Sequence, residues 1–180
     1  MALRRGTLLS LSLNELDPNQ SALVLALAGA LRQRGWRLAM AESCTGGLIA
    51  AACTSVAGSS DWFERGVVSY SNAAKTELLG VSAALIEQQG AVSEAVATAM
   101  AVGALQRSQA QRAVAVTGIA GPGGATPGKP VGTVWLAVAG CEGPAGAVDV
   151  QATLLQLAGD RAAVRHQTVT QALQALIASL

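Results

Sequence analysis

The run Ala113-Val114-Ala115-Val116-Thr117 leads straight into a stretch of glycines and prolines, Gly118 to Pro130. Nothing polar alternates within the first four positions, so the run has no solvent face and reads as a short strand buried on both sides. Such a strand needs a layer of helices on each face of its sheet, which restricts the chain to layered α/β architectures. The flanking segments agree. Trp36 to Glu42, Gly66 to Ser71, Val131 to Ala139 and Val148 to Leu157 read as further strands, with helical stretches between the earlier ones.

Helix boundaries are marked by their own chemistry. Asp17-Pro18 is an N-cap followed by proline at the first helical position, and Gly35 supplies the stop; Val24, Leu27 and Leu31 fall on the inner face. A second helix covers Leu48 to Thr54, after which Val56 to Asp61 is a small-residue turn. Asn72, Ser82 and Ser93 are placed to cap three more helices. Gly159-Asp160 begins a terminal helix with Ala162, His166, Val169, Leu173 and Leu176 on one stripe, which predicts a core histidine. The last two strands follow each other without a helix. The expectation is therefore a three-layer α/β/α sandwich around a mainly parallel, mixed sheet. Residues 17–180 form a single domain in this reading, and residues 1–16 a poorly ordered extension.

Composition excludes several functions. The formal net charge is +1 with no run of like charges, so the chain lacks the basic footprint of a nucleic-acid binder. Three cysteines, Cys44, Cys53 and Cys141, have no CxxC spacing and point to a reducing, cytoplasmic compartment. With His166 as the only histidine, a histidine-rich metal site cannot be built. The apolar run Ala22 to Leu31 is too short to span a bilayer. Because the chain is apolar and short of charged surface, self-association, most simply as a dimer, is expected.

Three loops follow the carboxyl ends of predicted strands: 43–47, 70–75 and 118–130. In open α/β sheets ligands bind outside those ends, so the loops should share one rim. Ser43 sits at a strand-to-helix junction, where the N–H groups of Cys44, Thr45, Gly46 and Gly47 could face an oxyanion or phosphate. A serine N-cap with a glycine turn explains the same residues. Tyr70 is the only tyrosine, and Lys75 is one of two lysines in a chain that otherwise uses arginine. Unlike a guanidinium, a buried amine can be neutralised, so a lysine here hints at proton transfer, although a solvated lysine fits too. The five-residue spacing from Tyr70 to Lys75 is wrong for the Tyr-x-x-x-Lys of short-chain dehydrogenases. The third loop, with Gly118, Ala120, Gly121 and Pro122, is suited to a ribose or phosphate, yet it lacks the P-loop ending.

Taken together the segments resemble the CinA C-terminal family. Ala41 to Gly47, Ala57-Gly58-Ser59-Ser60 with Trp62-Phe63, and Gly66 to Asn72 through Lys75 carry the likeness. So do Gly90 to Ser93, Thr117 to Pro122, Lys129 to Trp135 and Gly159-Asp160-Arg161. The family's characterised activity is nicotinamide-nucleotide amidohydrolase, which turns nicotinamide mononucleotide into nicotinate mononucleotide and ammonia. The resemblance implies a Ser–Lys–Tyr group on Ser43, Lys75 and Tyr70, a stand-alone form of the domain, and chemistry needing neither metal nor cofactor. Two features depart from the pattern: the extension before Asp17, and Leu157, where the family often has an aromatic residue.

On this reading Lys75 accepts the Ser43 proton directly or through Tyr70, and the N–H groups of residues 44–47 hold the oxyanion. Arg161 or the Gly118–Gly124 backbone takes the 5′-phosphate. Cys44 is the rival nucleophile, and Glu42 either orients a partner or ends the strand. Trp62 and Phe63 are read as packing residues. A non-catalytic nucleotide-binding or competence-related regulatory module, or a structural partner in DNA uptake, is the competing class.

Overall fold

Residue size sorts the sheet into two unlike faces. In the computed structural model, which describes residues 17–141 and 147–180, strands β1 (Leu38–Glu42), β3 (Arg112–Gly118) and β4 (Thr133–Cys141) alternate large and small side chains. Leu38, Met40, Val114, Val116, Leu136 and Val138 face one side, and Ala39, Ala41, Ala113, Ala115, Ala137 and Ala139 the other. The predicted extension, residues 1–16, lies outside the described residues.

The large-residue face packs against α1 (Pro18–Arg34), α2 (Leu48–Thr54) and α6 (Arg161–Ala178). The alanine face takes α3 (Asn72–Leu79), α4 (Ala83–Gln89) and α5 (Glu94–Gln106). Alanine lets α5 come close to the sheet, and Gly103 on α5 lies so near the Leu79 carbonyl that a Cβ would collide with it. The sheet order is β2-β1-β3-β4-β5, where β2 is Phe63–Val68 and β5 is Val148–Gln156. β1 runs parallel to both β2 and β3, while β4 and β5 are antiparallel additions. This is the expected mixed α/β sheet with helices on both faces.

Several local expectations need correction. Ser71, not Asn72, caps α3: its hydroxyl accepts from the Ala74 N–H at 3.0 Å. β2 begins at Phe63 rather than Gly66, and β4 begins at Thr133 rather than Val131. Gly132 sits at φ +92° just before β4, a conformation that ends rather than extends a strand. The buried stripe of α6 is Val164, Thr168, Val169, Ala172, Leu173 and Leu176. His166 is therefore no core residue; it is exposed and pairs through Nε2 with the Asp17 carboxylate at 2.6 Å. The acid that draws it outward comes from the start of α1, so it was invisible along α6 itself.

Among the described residues no helix is long and apolar enough to cross a membrane.

Candidate active site

The parallel strands β2, β1 and β3 lie side by side, and the sheet ladder continues one residue past the ends of β1 and β2. Ser43 N–H donates to the Val116 carbonyl at 3.0 Å, and Ser69 N–H to the Glu42 carbonyl at 2.8 Å. Ser43 and Ser69 each lie two residues beyond a side chain of the alanine face, Ala41 and Val67, so alternation places both on that face. α3 lies on the same side. Its Ser71 cap starts the helix one turn before Lys75, which aims that amine back at the strand ends.

Lys75 is 1% exposed and Ser43 9%. The Lys75 Nζ lies 3.1 Å from Ser43 Oγ, 2.9 Å from the Ser69 carbonyl and 3.4 Å from the Tyr70 carbonyl. A buried amine with no carboxylate partner is harder to charge. Desolvation accordingly pulls the Lys75 pKa below its usual 10.5, with the nearby Cys44 opposing weakly. Two carbonyls can take the two N–H bonds of a neutral amine, which leaves its lone pair for the Ser43 hydroxyl. Ser43 and Lys75 are thus in direct contact.

Tyr70 joins this pair through its backbone. Its side chain is exposed, and the phenol oxygen accepts from Arg161 Nη2 at 3.0 Å. Arg161 Nη1 donates to the Gly121 carbonyl at 3.0 Å, so one guanidinium ties the second loop to the third.

The turn after Ser43 is held from beneath by Glu42. Its buried carboxylate accepts N–H groups from Gly47 at 3.0 Å, Ile49 at 3.1 Å and Ala50 at 2.8 Å. The undecided Glu42 is therefore the anchor of α2's first turn. It also consumes donors that the sequence offered to a ligand: Gly47 donates to Glu42, and Gly46 to the Ser43 carbonyl at 3.1 Å. The N–H groups of Cys44 and Thr45 meet no backbone or side-chain oxygen among the described residues and bear instead on the Cys44 sulfur. The Thr45 hydroxyl and the Ser69 hydroxyl are likewise buried without a protein partner. Burial pushes the Cys44 thiol up to about 11, which leaves it protonated and a poor nucleophile near neutrality.

A cavity of about 540 Å³ opens beside this turn, between the third loop and the start of α6. Ala120, Gly121, Pro122, Val131, Arg161 and Arg165 are among its walls. Gly118 stays outside it, locked at the end of β3 where a Cβ would come within 2.6 Å of Val134. Arg165 is the residue that sequence reasoning missed. Its Nη2 donates to the Thr45 carbonyl at 2.7 Å, while its Nε is buried with no partner among the described residues. Position 165, one turn beyond Arg161 on the same helix face, was the available signal. The second lysine, Lys129, is structural, since its Nζ binds the Val92 carbonyl at 2.7 Å. Trp62 is fully buried and meets Phe63 edge to face at 6.3 Å, as packing residues do.

Comparison with known proteins places the chain in a family. The chain is 53% identical over 152 residues to nicotinamide-nucleotide amidohydrolase PncC of Enterobacter agglomerans, covering 84% of this chain and 90% of that protein. It is 48% identical to a CinA-like protein of Mycolicibacterium vanbaalenii, matching 97% of this chain but 45% of that longer protein. Among solved structures, the competence/damage-inducible protein CihA of Agrobacterium tumefaciens superposes with a TM-score of 0.86 at 42% identity. That match covers 92% of this chain and 98% of the other. Residues 20–180 match the family model of the CinA C-terminal domain, and the chain belongs to that family.

Proposed function

We propose that this chain hydrolyses the carboxamide of nicotinamide mononucleotide, releasing nicotinate mononucleotide and ammonia, with Ser43 as nucleophile and Lys75 as base. The observation that carries the reading is the 3.1 Å contact between a buried, uncompensated amine and a serine hydroxyl at the sheet rim. The likeness to PncC proteins supports the substrate.

Lys75 in its neutral form takes the Ser43 proton as Oγ attacks the carboxamide carbon. The N–H groups of Cys44 and Thr45 hold the oxyanion; a donor of this kind contributes roughly 3–4 kcal/mol to transition-state stability. The Lys75 ammonium then returns its proton to the departing nitrogen, and ammonia leaves. Water, deprotonated by the same amine, attacks the acyl–Ser43 ester; the Lys75 ammonium returns that proton to Ser43 Oγ as it leaves, and the product acid ionises to the carboxylate. The Tyr70 carbonyl helps orient the amine, and its phenol, held by Arg161, borders the mouth of the site. The cavity between α6 and the third loop receives the ribose phosphate, with Arg161 and Arg165 as its cations. As in the sequence reading, the scheme uses only side chains and backbone, in a cytoplasmic setting with a small-molecule partner.

Replacing Ser43 with alanine should lower ammonia release on the order of 10⁴-fold while the circular dichroism spectrum is preserved. Near-normal turnover in that variant would exclude Ser43 as nucleophile. Saturable nucleotide binding by the unmodified protein without ammonia release would favour a binding module instead.

A further inference from the structure

The chemistry proposed for Ser43 and Lys75 leaves one buried group on the same face without a task. Ser69 is fully buried, and its hydroxyl meets no protein donor or acceptor among the described residues. An orphaned hydroxyl in a core costs stability, so a position that needed only a small side chain would be better filled by alanine. Ser69 is the neighbour of Ser43 across the β1–β2 ladder, and its carbonyl lies 2.9 Å from Lys75 Nζ. The hydroxyl is therefore carried by the residue that already touches the amine.

Lys75 changes its hydrogen-bonding needs during turnover. The neutral amine has two N–H bonds and two backbone carbonyls to receive them. Once it takes the Ser43 proton it carries three. Ser43 Oγ, by then bonded to the substrate carbon, is a weaker acceptor than the free hydroxyl. We propose that Ser69 is a positioning residue whose hydroxyl accepts the third N–H of protonated Lys75 while the tetrahedral intermediate lasts, so that the ammonium keeps an acceptor until that proton is handed to the leaving nitrogen. A staggered χ1 rotation moves Oγ without moving the carbonyl, so the resting contacts can persist. No atom is gained or lost: the proton that leaves Ser43 Oγ resides on Nζ and passes to the departing ammonia. The inference rests on the Ser43–Lys75 reading.

The charged and titratable surroundings of Lys75 are few. Cys44 in the turn bears on it and stays protonated near neutrality. Glu42 is engaged with the first turn of α2, and Arg161 faces the phenol of Tyr70.

The test is Ser69→Ala in the full chain, assayed by ammonia release from nicotinamide mononucleotide beside Ser43→Ala. The expected result is kcat lowered about tenfold or more with KM unchanged, a part of the roughly 10²–10⁴-fold that general acid–base assistance contributes. Because loss of the acceptor disfavours the ammonium, the acidic limb of kcat should also move to lower pH. The melting temperature should stay the same or rise, because an unsatisfied hydroxyl has been removed. Unchanged kcat would overturn the inference, and so would a fall in kcat accompanied by a lower melting temperature or a raised KM. If Ser43→Ala retains turnover, the underlying reading fails; if it is inactive while Ser69→Ala is fully active, only the role of Ser69 fails.

Discussion

Lys75 places an amine where burial holds its pKa below the usual 10.5, and this makes stability depend on pH in a direction opposite to that of a salt-bridged lysine. The folded state binds the proton less tightly than the unfolded chain. Below the folded pKa the penalty for carrying a buried charge is present in full. It fades as pH rises from that pKa towards 10.5, and above that value both states are neutral. Lys75→Met keeps the length of the side chain and removes the titration. Its melting temperature, relative to the unmodified protein, should be more favourable at about pH 6 than at about pH 10, the advantage shrinking once the pH passes the folded-state pKa. A difference constant across that range would mean that the amine titrates normally. Sequence alone could suggest an amine worth neutralising, because lysine is rare here. It could not supply the two carbonyls, which belong to Ser69 and Tyr70 and reach Nζ only once α3 folds back on the strand ends. Glu42 was opaque for a related reason, since its partners are N–H groups of a helix that begins several residues later.

The elements of the alanine face set how near α5 can approach the sheet. Ala41, Ala113, Ala115, Ala137 and Ala139 are fully buried under it, and no larger side chain fits without lifting the helix. Ala115→Leu should destabilise the fold by about 1–3 kcal/mol through overpacking, measured by urea denaturation. Val114→Phe, which adds at least as much volume on the opposite face, should cost less, because volume there is shared among larger side chains. Equal losses at the two positions would remove the asymmetry of the faces as an explanation. The alternation that builds these faces was only half legible. Ala113 to Thr117 announced a strand buried on both sides, but Ala and Val are both apolar, so the pattern did not reveal that one face is small. Edge elements were harder. β2 carries Glu64 and Arg65 within its first residues and pairs with one neighbour only, so its start lacked an apolar signature. Helix starts at Asp17, Ser82, Ser93 and Asp160 were readable because capping is local chemistry.

At the scale of the whole molecule, the site exists only where both helical layers meet the sheet rim. The turn after Ser43 leads into α2 on one face, Lys75 stands on α3 on the other, and α6 brings Arg161 and Arg165. Arg165 shows how these parts depend on each other. One nitrogen of its guanidinium braces the Thr45 carbonyl, while Nε is buried without a partner among the described residues, beside the cavity proposed for the ribose phosphate. If that cavity holds a phosphate, Arg165 contributes a charge-assisted hydrogen bond, typically about 1.5–3 kcal/mol, or roughly 10–100-fold in affinity. Arg165→Gln should therefore raise KM for nicotinamide mononucleotide by that factor. The same variant should leave turnover of the phosphate-free nucleoside, nicotinamide riboside, nearly unchanged. Steady-state ammonia release from both substrates separates two roles for this side chain. A loss confined to the mononucleotide assigns Arg165 to the phosphate. An equal loss on both substrates assigns it to bracing the turn that carries Ser43, because a displaced nucleophile penalises every carboxamide alike, whatever the other end of the substrate bears.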